Sequence, residues 1–267
     1  MLGYLLTTFN DSDQAVKAFD SLKASIPVGV PYKVTVVDAG STEEHITRIQ
    51  SNIGECIGPE PDLSSALNTG IYKLLGYAPD NIKQFIKTGA SDVTHVIWYH
   101  VDMACPDFNW GEKLAFCYDF CYPMIGRMGP ATNNIDNGHP NQGALYGANQ
   151  CPVIFGIDVL KKLLEKYGFI YDPRYRAIGG REDWDNGRRL AELGMGFARC
   201  NLVDVWHKGM GSRSLRDTSD DQRYNADVYY KNWGTWDQPG FEIDMTEIGN
   251  DLKKAFEAKF PERWYDK

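Results

Sequence analysis

Apolar and polar positions alternate between two periods along the first hundred residues. A short run at Tyr4–Phe9 reads as a strand that ends at the turn residues Asn10 and Asp11. Ala15, Val16, Phe19 and Leu22 then recur at helical spacing, with Ser12 or Asp13 as the expected cap. Pro27–Pro31 breaks that helix, and Tyr32–Val37 follows as a β-branched strand stopped at Asp38-Ala-Gly-Ser-Thr42. A second helix is expected through Glu43–Gln50. A turn rich in Gly and Pro at Gly54–Pro61 leads into a helix at Leu63–Leu75, striped by Ala66, Leu67, Ile71, Leu74 and Leu75. Thr94–Tyr99 is a third strand, closed by His100-Val-Asp102. Strand, helix, strand, helix, strand is the pattern of an open α/β sheet.

The second half is less regular. Gly129–Gly143 is a polar stretch of Asn, Gly and Pro, long enough to be a functional loop. Val153–Gly156 is a short apolar run. Asp158 is the expected cap of a helix at Val159–Tyr167, with Gly168 at its end. Glu182–Leu193 reads as a helix closed by Gly194, and Phe197–Val205 as a strand. Gly209–Asp227 is polar and charged and is expected to be a mobile loop, followed by an amphipathic helix at Asp251–Phe260. The expected parse is one catalytic unit over 1–208, with halves at about 1–103 and 104–208. A C-terminal loop and helical extension would occupy 209–267.

Composition narrows the function classes. The 267 residues are 43% hydrophobic and 24% charged, enough apolar material for a core. Lys and Arg total 28 against 36 Asp and Glu, a formal charge of −8, which weighs against a general grip on nucleic acid. No apolar stretch approaches the ~18–20 residues that cross a bilayer. Met1–Leu6 lacks a basic leader, so a cytoplasmic protein is expected. The six cysteines form no Cys-x-x-Cys pair, which points to reduced, mostly buried thiols.

In an open α/β sheet, ligands bind beyond the carboxyl ends of the strands. Here those ends carry Thr8 and Asn10, then Asp38, then His100 and Asp102. A carboxylate at Asp38 can accept from a base N–H or a ribose hydroxyl, although Asp38 before Gly40 also suits a simple turn. Asp102 can hold a hard divalent cation against phosphate oxygens, and His207 can complete such a site. His100 alone is equally a satisfied polar side chain. The first strand–helix turn has no glycine fingerprint for a dinucleotide, and the chain has no phosphate-binding P-loop. A third cluster, Gly179-Gly-Arg-Glu-Asp-Trp-Asp185, places acids at a helix start. Dipole compensation explains such acids, and so does a general base beside glycines that admit a substrate.

The order of these pieces resembles the GT-A glycosyltransferases, specifically the family-2-like group that uses nucleotide sugars. Thr7-Thr-Phe-Asn10, Val37-Asp-Ala-Gly-Ser-Thr42 and Ala66-Leu-Asn-Thr-Gly-Ile71 match its early motifs. His100-Val-Asp102 sits in the place of its Asp-x-Asp. Gly180-Arg-Glu-Asp-Trp-Asp185 with Arg189-Leu190 is similar to its acceptor-site helix. Val205-Trp-His-Lys-Gly209 and Tyr224-Asn through Lys231-Asn-Trp-Gly234 are similar to its closing segments.

The resemblance implies a single Rossmann-like open mixed sheet flanked by helices, with a C-terminal extension. It implies transfer of a sugar from a nucleotide-sugar donor, UDP-linked by expectation, to a hydroxyl acceptor such as a glycan, with inversion. Thr8, Asn10, Asp38, Asn68, His100 and Arg181 would bind the donor. Asp102 and His207 would hold Mn²⁺ or Mg²⁺ at the diphosphate. Asp183, or Glu182 in its place, would deprotonate the acceptor, and Lys208, Arg213 or Arg216 would close over the diphosphate. His100 and Ala39 replace acids of the family pattern. The competing readings are a binding module for nucleotide sugars or glycans, a transferase acting on a hydroxylated nucleic-acid base, and a sugar nucleotidyltransferase. The last would want a glycine-rich, basic first turn, which Thr7–Asp11 is not.

Overall fold

Every residue of the first strand, β1 (Leu2–Thr8), is buried, because helices cover both of its faces. Its alternate side chains meet opposite layers. Leu5 lies against Gly70 of α3 (Leu63–Leu75), whereas Tyr4 lies against Gly111 of α4 (Trp110–Cys121). A computed structural model describes residues 1–77, 91–104, 107–122, 124–134, 152–176, 180–207, 219–237 and 246–261. At 131–134, 204, 207 and 246–248 it describes the backbone alone.

The other strands are β2 (Tyr32–Asp38), β3 (His95–His100), β4 (Met103–Ala104), β5 (Ile125–Asn134), β6 (Val153–Gly156) and β7 (Gly196–His207). Among the described residues they form one sheet in the order β2-β1-β3-β6-β5-β7-β4. β1 is parallel to β2 and β3, and β5 is parallel to β7. β6 runs antiparallel between β3 and β5, so the sheet is mixed. The remaining helices are α1 (Ser12–Ser25), α2 (Glu43–Ile53), α5 (Ile157–Tyr167), α6 (Glu182–Glu192), α7 (Ser219–Trp233) and α8 (Thr246–Lys259).

Several elements differ from the sequence expectation. Asp11, not Ser12 or Asp13, caps α1, accepting from the Gln14 N–H at 3.3 Å. Gly156 stands at the cap of α5, with Asp158 inside its first turn. Residues 129–134 of the expected polar loop belong to β5, where Pro130 and Thr132 flank a register shift against β7. Part of the expected loop at 209–227 is the start of α7. Residues 135–143 and 209–218 lie outside the described residues. α4 was not anticipated. It is anchored by fully buried Trp110, whose indole N–H donates to Ser25 Oγ at 2.9 Å. Cys56, Cys117, Cys121 and Cys200 are buried free thiols. No helix among the described residues is long and apolar enough to cross a membrane.

Candidate functional site

Strand register brings the polar ends together. Thr8 pairs with Asp38, and Thr7 with His100, so the first three strands finish at one level. The chain then turns through residues 101–102 into β4, which pairs antiparallel with β7. Met103 is opposite His207, so the backbone of residue 207 lies beside the turn that carries His100 and Asp102.

The β2 end is a tight hydrogen-bonded turn. Asp38 is fully buried, and its Oδ1 accepts from the Gly40 and Ser41 N–H groups at 3.0 and 2.7 Å. The Ser41 hydroxyl donates to its other oxygen. Its negative charge adds to burial in pushing the neighbouring Cys56 thiol up to about 12. Asn10 sits in the left-handed region (φ 48°) and its Oδ1 accepts from the Thr42 N–H at 3.0 Å. The Asn10 N–H in turn donates to Ser41 Oγ at 2.7 Å. Asp38 and Asn10 thus shape the turn at the end of β2. Thr8 differs: its Oγ1 is buried with no hydrogen-bond partner among the described residues.

At the β3 end, His100 Nδ1 is 3.8 Å from Asp102 Oδ1, and the imidazole packs at a tilt against Trp98 with centroids 4.4 Å apart. The Asp102 side chain keeps 12% exposure. It lines a cleft of about 330 Å³ between α1 and the 101–104 turn, together with Gln14, Lys17 and half-exposed Trp206. Neither Lys17 nor Trp206 stood out in the sequence, since each belongs to an ordinary amphipathic segment. Among the described residues, no group of three or more His, Cys, Asp and Glu side chains could hold a metal. Mg²⁺ is usually held by one or two carboxylates plus substrate phosphates. Asp102 with a nearby imidazole therefore suits a cation shared with a bound diphosphate, not an all-protein cage.

The third group is the head of α6. Arg181 has φ 76° at its N-cap and makes no side-chain cap bond. Its guanidinium lies 3.6 Å over the Trp184 ring. Burial pulls the Arg181 pKa down, opposed by the charge of Asp183. Glu182 is buried and accepts from the Gly180 N–H. Asp183 is half-buried, with Oδ1 accepting from the Trp184 N–H at 2.9 Å.

α6 reaches the sheet through Arg127 and through the 170–171 segment. Tyr171, just upstream of it, packs edge-on to Trp98 at 5.8 Å. Arg127 of β5 donates to the Asp183 carbonyl at 3.2 Å. Asn186 donates to the Ile170 carbonyl at 3.0 Å.

Asn68 of α3 completes this seat. Its Oδ1 accepts from the Ile170 and Tyr171 N–H groups, and its Nδ2 donates to the Tyr171 carbonyl at 2.7 Å. The side chain expected to touch the donor therefore holds the segment that seats α6. The later acid, Asp185, is fully buried in a clasp: Arg189 Nε at 2.6 Å, Trp233 Nε1 at 2.8 Å and Asn232 Nδ2 at 3.1 Å all donate to it. Arg127, buried beneath the α6 head, was not singled out from the sequence. Lys208, Arg213, Arg216 and the His207 side chain lie outside the described residues.

No family model and no curated protein matches the chain. Solved structures do. Glucosyl-3-phosphoglycerate synthase from Mycobacterium tuberculosis, in complex with Mg²⁺ and UDP, superposes with a TM-score of 0.54 at 14% identity. The match covers 88% of this chain and 79% of that one. Mannosyltransferase PcManGT from Pyrobaculum calidifontis, in complex with GDP-Man and Mn²⁺, gives a TM-score of 0.53 at 13% identity, over 97% and 74% of the two chains. The chain has a GT-A fold. At these identities the likeness concerns architecture, and the chemistry is argued from the side chains.

Proposed function

We propose that the chain is a glycosyltransferase that moves a sugar from a nucleotide-sugar donor, UDP-linked, onto an acceptor hydroxyl with inversion. The observation that carries this reading is the pairing of β4 with β7. It sets residue 207 beside His100 and Asp102 at the edge where β1, β2 and β3 end, in a fold that solved glycosyltransferases share. The structures it resembles hold UDP or GDP-Man with Mg²⁺ or Mn²⁺.

The donor would lie across the ends of β1 to β3. Thr8 would contribute its buried hydroxyl, and the Asp38–Asn10 turn would form the wall against the base. Asn68 would act at one remove, by holding the 170–171 segment. Asp102, with His100 and His207 beside it, would bind Mn²⁺ or Mg²⁺ at the diphosphate. Bound there, the cation would offset charge on the leaving group. Asp183 would take the proton of the acceptor hydroxyl, with Glu182 the lesser candidate because it is buried whereas Asp183 is half-buried. The hydroxyl oxygen would form the new bond to the anomeric carbon as the bond to the diphosphate breaks, its electron pair leaving on the phosphate oxygen. Arg181, over Trp184, would face the sugar or its phosphate.

The test is release of UDP from UDP-hexoses in the presence of Mn²⁺ and a hydroxyl acceptor. Turnover by the native chain, abolished in Asp183→Ala with donor affinity spared, supports the reading. Donor binding without release by the native chain favours a binding module, and full transfer by Asp183→Ala removes Asp183 as the base.

A further inference from the structure

Arg127 is a buried cation in an unusual place. It is only 2% exposed, and its guanidinium rests 5.0 Å from the Phe197 ring centroid. One terminal nitrogen donates to the Asp183 carbonyl at 3.2 Å and to Asn186 Oδ1 at 3.1 Å. Its Nε is buried with no partner among the described residues. Among the described residues no carboxylate lies within ion-pairing distance of it. Such a charge is costly to bury without compensation. It also lies under a helix N-terminus, where the macrodipole disfavours a cation. A side chain needed only for packing would avoid that position.

Asp183, whose carbonyl Arg127 holds at 3.2 Å, is the carboxylate whose charge acts on it. Burial pulls the Arg127 guanidinium down from its ordinary value, and the charges of Tyr171 and Asp183 act against that. The interaction is mutual, so Arg127 favours the ionised form of Asp183. The other titratable groups around this pair are Tyr171 and Tyr175 from the segment before α6, Arg181 and Glu182 at its head, and Tyr229 from α7. α6 begins without a side-chain cap, so the hydrogen bonds from Arg127 also anchor its first turn.

We infer that Arg127 is the positioning residue for the base: it seats the first turn of α6 from below, and its charge keeps the Asp183 carboxylate ready to accept a proton. This rests on the glycosyltransferase reading only for the word base. The charge coupling is a property of the free chain.

The test reads that coupling without turnover. Carboxyl ¹³C NMR follows the Asp183 titration, the signal being identified by its loss in Asp183→Asn. Arg127→Gln keeps a hydrogen-bonding group but removes the charge, and should raise the Asp183 pKa by about one unit, tenfold in proton affinity. Arg127→Lys should leave it within a few tenths. In transfer assays the Gln variant should move the acid limb of kcat upward by a similar amount, with donor KM unchanged. In the native chain the Arg127 Nε–H resonance should follow the Asp183 titration, and should lose that step in Asp183→Asn. This last reading needs no Arg127 variant to fold. An Asp183 titration identical in the native and Gln proteins, or an Nε–H resonance indifferent to it, overturns the inference. A shifted titration in a chain that transfers no sugar leaves the coupling standing and fells the glycosyltransferase reading.

Discussion

Short polar side chains at the ends of strands divide here between building the site and facing it. Asp38, Asn10 and Asn68 spend their oxygens on backbone N–H groups. Thr8, Asp102 and Asp183 are the ones proposed to meet substrate. The sequence shows residue type and order, which is why all six were visible as candidates. It does not show partners: Asn68 meets Tyr171 across 103 positions. Arg127 escaped notice for the same reason, since a lone arginine in a strand carries no local signal. Asn68→Ala should leave two buried N–H groups unsatisfied and cost about 2–6 kcal/mol in urea denaturation, at ~1–3 kcal/mol per buried group left unmade. A loss below half a kcal/mol would show that the 170–171 seat holds without it. Asp102→Ala should weaken UDP binding tenfold or more when Mn²⁺ is present and little when it is absent, measured by calorimetry. An equal loss in both conditions would contradict a cation-linked role.

At the level of elements, the strands and helices with clean periodicity were legible, and α3 was read to its ends at Leu63–Leu75. Gly70 within it shows what the pattern hides. A Cβ there would run into Leu5 and Val37, so the glycine sets how closely α3 lies on the sheet. Gly70→Val should cost about 1–3 kcal/mol by overpacking, read as a lowered melting temperature. α4 was missed although Trp110, Leu114, Cys117, Tyr118 and Cys121 form one buried stripe, because apolar Phe116 and exposed Phe120 lie on its other side. α7 was missed for the opposite reason: its buried positions include Asn225, which reads as polar. That asparagine exchanges hydrogen bonds with the Arg176 backbone at 2.8 and 2.9 Å. α7 then contributes Asn232 and Trp233 to the Asp185 clasp. Asp185→Ala takes the acceptor from Arg189 Nε and the Trp233 indole N–H, while Asp172 still pairs with Arg189 at 3.1 Å, and should destabilise by about 2–6 kcal/mol, at ~1–3 kcal/mol per buried group. An unchanged unfolding midpoint would mean that the clasp carries no net stability.

For the molecule as a whole, stability depends on pH through Asp172, which Arg189 holds at 3.1 Å beside Asp185. Burial alone would raise the Asp172 carboxyl, but the hydrogen bonds and charge of Arg174 and the charge of Arg189 outweigh it and hold the group below its ordinary value. A carboxyl depressed in the native state contributes stability above its unfolded pKa of about 3.9 and loses it as pH falls further. The native chain should therefore lose urea resistance more steeply below about pH 4 than Asp172→Asn does, and parallel curves would contradict the assignment. The mixed sheet flanked by helices followed from the motif order, whereas the route by which α6 reaches the sheet did not, because it is built from contacts distant in the chain. The central claim is that the ends of β1 to β3 and the head of α6 face one nucleotide-sugar pocket. A crystal structure soaked with UDP-hexose and Mn²⁺ tests it most directly. The account predicts the nucleotide across Thr8 and the Asp38 turn, the cation at Asp102 and the anomeric carbon facing Asp183. A nucleotide bound on another face, or a sugar turned away from α6, would contradict it.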